Sequence, residues 1–566
     1  MNMKKLAALL LTLALLLSCT AFAEETAAPA LQKDVVILFT SDVHCGIDQG
    51  FTYVGVKAVK DQLAKNNYVV LADNGDSIQG GAVGAISKGE VDINLMNALG
   101  YDVATIGNHE FDYGMDRFME IANEKAQFPY VSANFTYKDE LVFAPYLIKE
   151  FDGVKIAFVG ISTPTTFMKS TPTFFQDENG NYVYGFCEDQ TGEKLYAAVQ
   201  KAVDDARAEG AQYVIALAHL GLEATCTPWM SSEVVANTNG IDALLDGHSH
   251  SVYSQEEMVK LGDATEMSVG MMKNKDGKNV VMAGCGTQLE ALGYCRIATD
   301  GTVSTGLYVW PFEENAVDFL GLTNDMTAAM TAETDSVNET LAQVVARTDV
   351  DLIIKDPETG VRVIRNLETN LGDLVADAYR VSTGADVALV NGGGIRANLS
   401  AGDITMGDIQ SCHPFGNALC MVEANGQQIL DALEWTSRAV PGENGGFLQV
   451  SGLSYEIHTY IESTATSDDK GNFTGVTGEY RVKNVMIGGE PLDVNKTYTV
   501  ASHNYLLKDG GDGTNTFMGD PVLLDEIKLD YETVIDYIID TLGGTVGEEY
   551  ADIWGEGRIV IVPEAQ

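Results

Sequence analysis

The sequence lacks closely spaced cysteine pairs, internal repeats and low-complexity segments. One of its eight cysteines lies within the first twenty residues, and the other seven form neither a CxxC motif nor the dense pattern of a disulfide-rich domain. A thiolate metal site is therefore not expected. One or two disulfides are compatible with this composition, but the odd number and the wide spacing predict no particular pairing.

Basic residues are also scarce. The chain has 35 lysines and arginines against 81 aspartates and glutamates, which gives a formal net charge of -46 and an isoelectric point near 4.3. Such a surface repels the phosphate backbone of DNA or RNA, so a nucleic-acid polymer is not an expected partner. The simplest interpretation of the acidic excess is a solubilising surface, and an anionic substrate would have to be attracted locally.

Long apolar runs are missing outside the amino terminus. Lys4 and Lys5 precede an apolar stretch, and Ala21-Phe22-Ala23 provides a cleavage site, so residues 1–23 are predicted to be a secretory signal peptide and residues 24–33 a tether. Leu16-Leu17-Ser18-Cys19 also resembles a bacterial lipobox, which would make Cys19 a lipid anchor. The stretch is too short to span a membrane. Both interpretations predict an exported protein.

With 566 residues and 45% hydrophobic residues, the chain is long enough for two or more packed cores. Apolar runs alternate with helical patterns up to about Pro311, which is typical of an α/β domain, here predicted over residues 34–320. An amphipathic stretch follows, and we expect a linker helix over residues 321–346. A helix start at Thr369 and the apolar run Val387–Val390 then indicate a second α/β domain over residues 347–566.

Polar side chains follow five apolar runs of the first domain. Runs of this kind are typical of strands buried on both faces, and open α/β sheets place their sites at the carboxyl ends of such strands. Five of the eight histidines belong to these clusters, which scattered residues would rarely produce. The runs and the polar residues after them are Val35–Phe39 with Asp42 and His44, Tyr68–Ala72 with Asp76, Val103–Ile106 with Asn108 and His109, Val214–Ala218 with His219, and Ala243–Asp246 with His248 and His250.

Seven of these side chains offer imidazole, carboxylate or amide donors, which suit Zn, Mn, Mg or Co. Seven donors are too many for one tetrahedral ion, but they suit two ions that share one carboxylate. Two metals roughly 3.5–4 Å apart can activate a water molecule and hold the oxygens of a phosphoryl group. The pattern therefore predicts a dimetal site that hydrolyses phosphoesters.

These blocks resemble the five-block signature of calcineurin-like metallophosphoesterases. The longer segment Gly107-Asn108-His109-Glu110-Phe111-Asp112, with Asn391-Gly-Gly-Gly-Ile-Arg396 and Pro414-Phe415-Gly416-Asn417, is similar to the two-domain 5'-nucleotidase family. The resemblance covers nearly the whole mature chain. It implies an N-terminal four-layer α/β/β/α sandwich, a linker helix and a second α/β domain that recognises the substrate.

The resemblance also implies roles in the first domain. One ion would be bound by Asp42, His44, Asp76 and His250, and the other by Asp76, Asn108, His219 and His248, so that Asp76 forms the bridge. His109 would stabilise charge on the phosphoryl group or protonate the leaving oxygen, with Asp112 orienting its ring. Glu110 is expected to be a structural hydrogen-bond acceptor, and Cys45 a small filler rather than a ligand.

In the second domain, the resemblance implies that Arg365 and Arg396 bind the substrate phosphate or adjacent groups, and guanidinium groups bind phosphate bidentately. Another family arginine has Val361 in its place, with Arg362 beside it. The glycines at 392–394 fit either a turn or a close approach to a ligand. The resemblance further implies that Phe415 and Tyr505 form the two walls around a base, and that Asn417 and Asp512 lie near the base and the ribose. The full substrate-binding set that it implies is Arg365, Asn391, Arg396, Phe415, Asn417, Tyr505 and Asp512.

The expected function is that of an exported nucleotidase acting on nucleoside 5'-monophosphates. The enzymatic alternatives are a 2',3'-cyclic nucleotide 2'-phosphodiesterase with 3'-nucleotidase activity and a UDP-sugar or dinucleotide pyrophosphohydrolase. A catalytically silent nucleotide-binding surface protein is the alternative of another class. Because the motifs are split between two domains, the resemblance also implies that the domains close and reopen in each turnover. The sequence leaves metal identity and oligomeric state open.

Overall fold

A computed structural model describes residues 30–564, apart from residues 178, 223–225, 256–257, 261–269 and 526. The predicted signal peptide, most of the predicted tether and Cys19 lie outside the described residues. Among the described residues, no helix has both the length and the apolar character that a membrane crossing requires.

The first domain contains two large sheets and their covering helices. Its strands in these sheets are β1 (Val35–Thr40), β2 (Tyr68–Asp73), β3 (Val103–Thr105), β4 (Tyr130–Val131), β5 (Tyr146–Phe151), β6 (Val154–Ser162), β7 (Tyr213–His219), β8 (Ala243–Asp246), β9 (Val252–Tyr253), β10 (Met258–Lys260), β11 (Met271–Lys273), β12 (Asn279–Cys285), β13 (Ala291–Ile297) and β14 (Val303–Val309). Its helices are α1 (Thr52–Ala64), α2 (Gly81–Ser87), α3 (Glu90–Leu99), α4 (Met115–Glu120), α5 (Thr166–Lys169), α6 (Glu193–Ala208) and α7 (Ser231–Asn237). A small sheet of Thr136–Tyr137, Glu140–Leu141 and Tyr184–Gly185 lies beside them.

The first sheet has the order β14-β13-β1-β2-β3-β4, and the second has the order β10-β9-β12-β8-β7-β6-β5, with β11 on β12. Strands β1 to β4 are parallel, as are β6, β7, β8 and β12. All five predicted apolar runs are strands, which confirms this part of the sequence analysis. They belong to two sheets, and their carboxyl ends supply the polar side chains of the site.

The two sheets pack face to face, and helices cover their outer faces. Phe39 of the first sheet and Phe158 of the second belong to one buried cluster between the sheets. Leu38 faces the other way and packs with α1 and α3, while Val159 packs with α6 and α7. Successive side chains of a strand point to opposite faces, so each central strand has to be apolar on both. The predicted four-layer α/β/β/α sandwich is therefore confirmed.

A helical connection leads into the second domain. Helices α8 (Ala316–Leu320) and α9 (Asp325–Leu341) follow β14, and Asn324 caps α9 while its side-chain amide donates to Val54 O at 2.9 Å. The predicted linker helix was too long at its end. Residues from Val344 onward form β15 (Val344–Thr348), which pairs with Gly402–Thr405 and Thr545–Val546 in a small sheet. The β-branched residues Val344 and Val345 favour a strand.

The described residues of the second domain form four sheets. Its strands after β15 are β16 (Val387–Asn391), β17 (Gly402–Thr405), β18 (Leu419–Asn425), β19 (Leu448–Ser451), β20 (Leu453–His458), β21 (Ala465–Ser467), β22 (Phe473–Val476), β23 (Val482–Ile487), β24 (Glu490–Pro491), β25 (Thr497–His503), β26 (Val522–Leu524), β27 (Thr545–Val546) and β28 (Ile559–Val562). Its helices are α10 (Asn370–Thr383), α11 (Met406–Cys412), α12 (Gly426–Thr436), α13 (Asn504–Leu507) and α14 (Asp530–Asp536). The sheet that carries the site has the order β19-β16-β25-β18-β26. The others are β17-β15-β27, β24-β23-β20-β28 and the pair β21-β22.

The turn between β21 and β22 connects the two domains. Lys470 forms an ion pair with Glu188 of the first domain, and both side chains are largely buried. The Lys470 ammonium also lies 4.3 Å from the centre of the Phe167 ring and 4.8 Å from that of Tyr182. A cation over two aromatic faces with a carboxylate beside it is a favourable setting for a lysine. This contact helps to hold the domains together.

We expect Lys470→Met to weaken the contact between the domains by roughly 1–3 kcal/mol, because Glu188 would remain largely buried without its charged partner. Small-angle X-ray scattering of the full chain should then give a larger radius of gyration. Lys483→Met is the matched control, since Lys483 lies in the same domain and pairs with Glu479, four residues away. An unchanged scattering profile for Lys470→Met would mean that this contact does not hold the domains together.

Candidate functional site

The loops after five strands bring the predicted metal donors together at one end of the first domain. Asp42, Asp76, Asn108 and His219 are at most 1% exposed. His250 is the most accessible of the set, with 13% of its side chain exposed. The two-sheet arrangement explains this convergence, because the strands from both sheets end at the same edge of the sandwich.

Two groups of three side chains have the spacing of metal sites. In each group, ligand atoms from all three residues lie within 4.8 Å of one another, the groups being Asp42, His44 and His250, and Asp76, His219 and His248. In the first group, His44 Nε2 and His250 Nε2 are 3.3 Å apart, and His250 Nε2 is 3.4 Å from Asp42 Oδ1. In the second group, His219 Nε2 is 3.0 Å from Asp76 Oδ2.

The chemistry of these donors fits two divalent cations. His219 Nε2 and Asn108 Oδ1 are buried and make no hydrogen bond within the described part of the chain, although His219 Nε2 lies near a carboxylate. In two of the histidines, the ring nitrogen that faces away from the site is held by a backbone carbonyl. His44 Nδ1 hydrogen-bonds Gln79 O at 3.1 Å, and His219 Nδ1 hydrogen-bonds Asn74 O at 2.7 Å. Such outer hydrogen bonds direct the Nε2 lone pair of a metal-binding histidine toward the ion.

The electrostatics of the site also favour a cation. Burial would lower the pKa of His219, but Asp76 and then Asp42 raise it to about 10, so the excess negative charge attracts a proton in the absence of an ion. Burial lowers the pKa of His44 to about 3 and holds that of His248 well below its usual range. Neutral imidazoles with available lone pairs and buried carboxylates are the form in which these residues bind metals.

The backbone at the donors is unusual. Five of the seven donor residues have a positive φ, which non-glycine residues rarely adopt: Asp42 (52°), His44 (49°), Asp76 (56°), His248 (75°) and His250 (52°). Each such residue costs roughly 1–3 kcal/mol, and such strain is concentrated at functional sites. The loops therefore turn sharply after their strands and direct the side chains inward.

Glu110 accepts structural hydrogen bonds, as predicted. The Glu110 carboxylate accepts the backbone N–H groups of Asp76 and Ser77, each at 3.0 Å, and that of Gly107 at 2.6 Å. These bonds fix the loop that carries Asp76. The Cys45 thiol donates to Ile78 O at 3.0 Å.

His109 and Asp112 lie beside the donors and form a hydrogen-bonded pair. His109 Nδ1 is 2.5 Å from Asp112 Oδ2, and the Ser170 hydroxyl donates to Asp112 Oδ1 at 2.9 Å. Burial lowers the pKa of His109, but the carboxylates of Asp112 and Asp76 outweigh burial and raise it above the usual value. The pair therefore favours a protonated imidazole, which could donate a proton from Nε2.

The predicted residues of the second domain face the same site. A cleft with about 750 Å³ of atom-free space is lined by all seven of them, together with Asp76, Asn108, His109, Asp112, His248 and His250 of the first domain. The seven second-domain residues are Arg365, Asn391, Arg396, Phe415, Asn417, Tyr505 and Asp512.

The parallel neighbours β16 and β25 organise this side of the cleft. Asn391 ends β16, its side-chain amide donates to Asp512 Oδ2 at 2.8 Å, and its Oδ1 hydrogen-bonds His503 Nε2 at 3.0 Å. The Asp512 backbone N–H donates to the Tyr505 hydroxyl at 3.0 Å. The Tyr505 ring lies so close to Gly511 that a Cβ there would be 2.3 Å from it. These contacts fix Tyr505 at the cleft.

Phe415 lies between charged groups of the cleft rather than in a core. Its ring centre is 5.7 Å from that of His109 and 5.7 Å from the Arg396 guanidinium. The nearby glycines are required by backbone packing, since a Cβ on Gly392 would be 2.2 Å from Ile364 O and one on Gly393 would be 2.8 Å from Gly445 O. Arg362, beside Val361, pairs with Glu443 at 2.5 Å.

The segment that follows β6 was not expected at the site from the sequence. Thr165 Oγ1 lies 3.3 Å from His248 Nε2, Lys169 lines the cleft, and Ser170 holds Asp112. No motif marks this segment, and its partners lie far along the chain. The only local signal is that α5 follows the end of a buried strand, as the donor loops do.

Comparison with known proteins agrees with this geometry. A sequence model of calcineurin-like phosphoesterases matches residues 35–252, and a model of the 5'-nucleotidase C-terminal domain matches residues 344–519. The chain belongs to the 5'-nucleotidase family. It is therefore a metal-dependent phosphoester hydrolase that uses two divalent metals, as the resemblance predicted.

Three similar proteins align with nearly the whole length of this chain. A 5'-nucleotidase of Vibrio cholerae is 27% identical over 564 residues, which include 92% of each protein. The trifunctional nucleotide phosphoesterase protein YfkN of Bacillus subtilis is 29% identical over 94% of this chain, but the chain spans only 35% of that larger protein. The crystal structure of a 5'-nucleotidase precursor from Thermus thermophilus has a TM-score of 0.74 at 25% identity, covering 94% of this chain and 100% of the other.

The geometry predicts different outcomes for two histidine substitutions. His109 belongs to neither donor group, so His109→Ala should retain both metals while turnover falls by about 10²–10⁴-fold, the usual contribution of a proton-transferring side chain. His219→Ala is the matched comparison and should lower the metal content. Elemental analysis and phosphate release on the same preparations measure both effects. Loss of metal from His109→Ala would show that the donor groups are assigned wrongly.

Proposed function

We propose that this phosphohydrolase is exported and releases phosphate from nucleoside 5'-monophosphates. The observation that carries the proposal is the composition of the cleft. Metal donors from the first domain line the same space as two arginines and two aromatic rings from the second. A phosphate beside the metal donors and a base between the rings would be parts of one small molecule.

The seven donors are proposed to hold the two ions, with Asp76 as the bridge and Asn108 completing the second group. Asp76 suits this role because His109 N–H donates to its Oδ1 at 2.7 Å while its Oδ2 faces His219. When bound, the ions would supply Lewis-acid stabilisation of the phosphoryl oxygens and lower the pKa of the attacking water.

His109 is proposed to stabilise the phosphoryl group or to protonate the leaving oxygen from Nε2. Asp112 holds the other ring nitrogen and favours the charged ring, and Ser170 restrains Asp112. Arg365 and Arg396 would bind the phosphate, since a guanidinium group donates two parallel hydrogen bonds to its oxygens. They also attract an anionic substrate to a protein whose surface is strongly acidic.

Phe415 and Tyr505 are proposed to hold the base between their rings, with Asn417 near the base and Asp512 near the ribose. Stacking contributes roughly 1–3 kcal/mol per base and accepts any base, so we expect weak discrimination between bases. Because the two domains enclose the cleft, substrate entry and product release would require them to separate and close again.

A second candidate is a pyrophosphohydrolase acting on UDP-sugars or dinucleotides. A second, larger cleft with about 2050 Å³ of atom-free space is lined by His44, His250, Arg365 and Arg396, of which the last three also line the first cleft. It provides room for a second substituent on the phosphorus. The cyclic phosphodiesterase with 3'-nucleotidase activity stays a further alternative. The family assignment supports an enzyme over a silent binding protein.

Export is part of the proposal. The predicted signal peptide over residues 1–23, or a lipid anchor at Cys19, would direct the chain out of the cytoplasm. A relative that is 25% identical over 517 residues is named cell wall protein Lmo0130 of Listeria monocytogenes, and the chain covers 60% of that protein. Its name is consistent with a location outside the cell.

The proposal is tested by phosphate release from a substrate panel after reconstitution with Mn, Zn, Co or Mg. We expect AMP and other 5'-monophosphates to give the highest kcat/KM, because one phosphate and one base fill the cleft. The panel includes 3'-AMP, 2',3'-cyclic AMP and UDP-glucose, with an EDTA-treated sample as the control. A higher kcat/KM for UDP-glucose than for UMP would replace the proposal with the second candidate.

Phe415→Ala should raise KM for AMP about tenfold while changing kcat less, because loss of one stacking wall removes roughly 1–3 kcal/mol of binding. Hydrolysis of p-nitrophenyl phosphate, which lacks a purine, should change less than hydrolysis of AMP. Phe312→Ala is the matched control, since Phe312 is 47% exposed and does not line the cleft. An equal effect of Phe415→Ala on both substrates would contradict the stacking role.

A further inference from the structure

Lys169 brings a positive charge from the first domain to the second-domain side of the cleft. It is the last residue of α5, is partly buried and lines the cleft. A Cβ built on Gly445 of the second domain would lie 3.8 Å from Lys169 Nζ, so the ammonium reaches across the cleft. Within the described part of the chain, no carboxylate oxygen lies within 4.0 Å of Lys169 Nζ, the distance that defines an ion pair.

Asp512 faces the same part of the cleft from the other domain. Gly446, next to Gly445, is so close to Asp512 that a Cβ there would be 2.8 Å from the Asp512 Cβ. Asp512 has a φ of 54°, a left-handed conformation that turns it toward the cleft, and the Asn391 amide holds its Oδ2. Burial raises the pKa of Asp512, while the charge of Lys169 is the largest opposing influence. The two groups therefore interact across the space that a ligand would occupy.

We propose that Lys169 and Asp512 together recognise the two vicinal hydroxyls of a ribose through hydrogen bonds. This inference rests on the proposed function, which places the sugar of a nucleotide at Asp512. An ammonium group only donates hydrogen bonds and an ionised carboxylate only accepts them, whereas a hydroxyl does both. A pair of hydroxyls can therefore accept from Lys169 and donate to Asp512.

The Asp512 carboxylate disfavours a second phosphate as the ligand at this position, even though Arg365 and Arg438 as well as Lys169 bring positive charge to it. A phosphate on the sugar would be attracted by Lys169 but repelled by the adjacent Asp512 carboxylate. Two neutral hydroxyls satisfy both groups without any net charge. Lys169 is thus a specificity-determining residue that distinguishes ribonucleotides from deoxyribonucleotides.

The two residues of the proposed sugar site belong to different domains. Lys169 lies in the first domain and Asp512 in the second, so the full set of sugar contacts exists only when the cleft is assembled. A substrate that lacks a hydroxyl loses a contact that spans both domains. The preference for ribose should therefore be expressed mainly in KM.

The test compares AMP with 2'-deoxy-AMP, 3'-deoxy-AMP, adenosine 3',5'-bisphosphate and p-nitrophenyl phosphate, using the metal-loaded full chain. The wild type should prefer AMP to either deoxy analogue by about tenfold in kcat/KM, the usual effect of one hydrogen bond to a charged group. Lys169→Met should lower kcat/KM for AMP about tenfold, mainly through KM, and reduce the preference for ribose to about twofold. The loss with AMP should exceed the loss with p-nitrophenyl phosphate several-fold.

Two further variants separate this role from a structural one. Lys169→Arg keeps the charge and should retain most of the preference for ribose. Lys201→Met is the matched control, because Lys201 is an exposed first-domain lysine whose partner is Asp205 on the same helix. It should leave all five rates unchanged. Metal content and melting temperature establish that each variant is folded.

Three results would overturn the inference: an unchanged preference for ribose in Lys169→Met, equal losses with AMP and p-nitrophenyl phosphate, or a selective loss with the 3',5'-bisphosphate, which would make Lys169 an anion site. If the wild type does not hydrolyse AMP at all, the proposed function fails. Calorimetric binding of adenosine and 2'-deoxyadenosine to the same variants then decides the role of Lys169 separately.

Discussion

The structure depends on the burial of carboxylates and imidazoles at the point where two sheets end together. Asp42 and Asp76 are almost fully buried, and they form ion pairs with histidine rings. Buried charges are unfavourable unless they are paired or bind metals. Two divalent cations satisfy this set of donors, and the strained loops after the strands persist because the surrounding sandwich fixes them.

The second domain also places polar residues at the ends of parallel strands, but these residues bind one another rather than metal ions. Its parallel strands β16 and β25 also end side by side, and their ends carry Asn391, Tyr505 and Asp512. Here the polar groups satisfy one another through hydrogen bonds between Asn391, Asp512 and His503. This leaves a rigid surface of rings and donors, which suits recognition of a small molecule, whereas the first domain supplies the chemistry.

Much of this organisation could be predicted from the sequence, because it is local. The apolar runs before Asp42 and His219 specify strands, and the few residues after each run specify where the donors emerge. The cap at Thr369 likewise specifies the start of α10. Tyr505 was expected only from the family resemblance; it lines the cleft, where its hydroxyl accepts the backbone N–H of Asp512.

The remaining features arise from contacts between distant segments, which leave no periodic pattern. Ser170 holds Asp112 across 58 positions of the chain, and Lys169 faces a domain that begins far beyond it. The strand at Val344 was hidden because its partners, near Ile404 and Thr545, are also remote. The contact between the domains in which Lys470 lies over the Phe167 ring forms only when both domains are folded.

The most direct measurement is anomalous X-ray scattering from crystals of the full chain soaked in Mn²⁺. We expect two strong peaks, one among Asp42, His44 and His250 and the other among Asp76, His219 and His248, with Asp76 in contact with both. A single peak, or peaks outside these side chains, would show that the converging strand ends do not form a dimetal site.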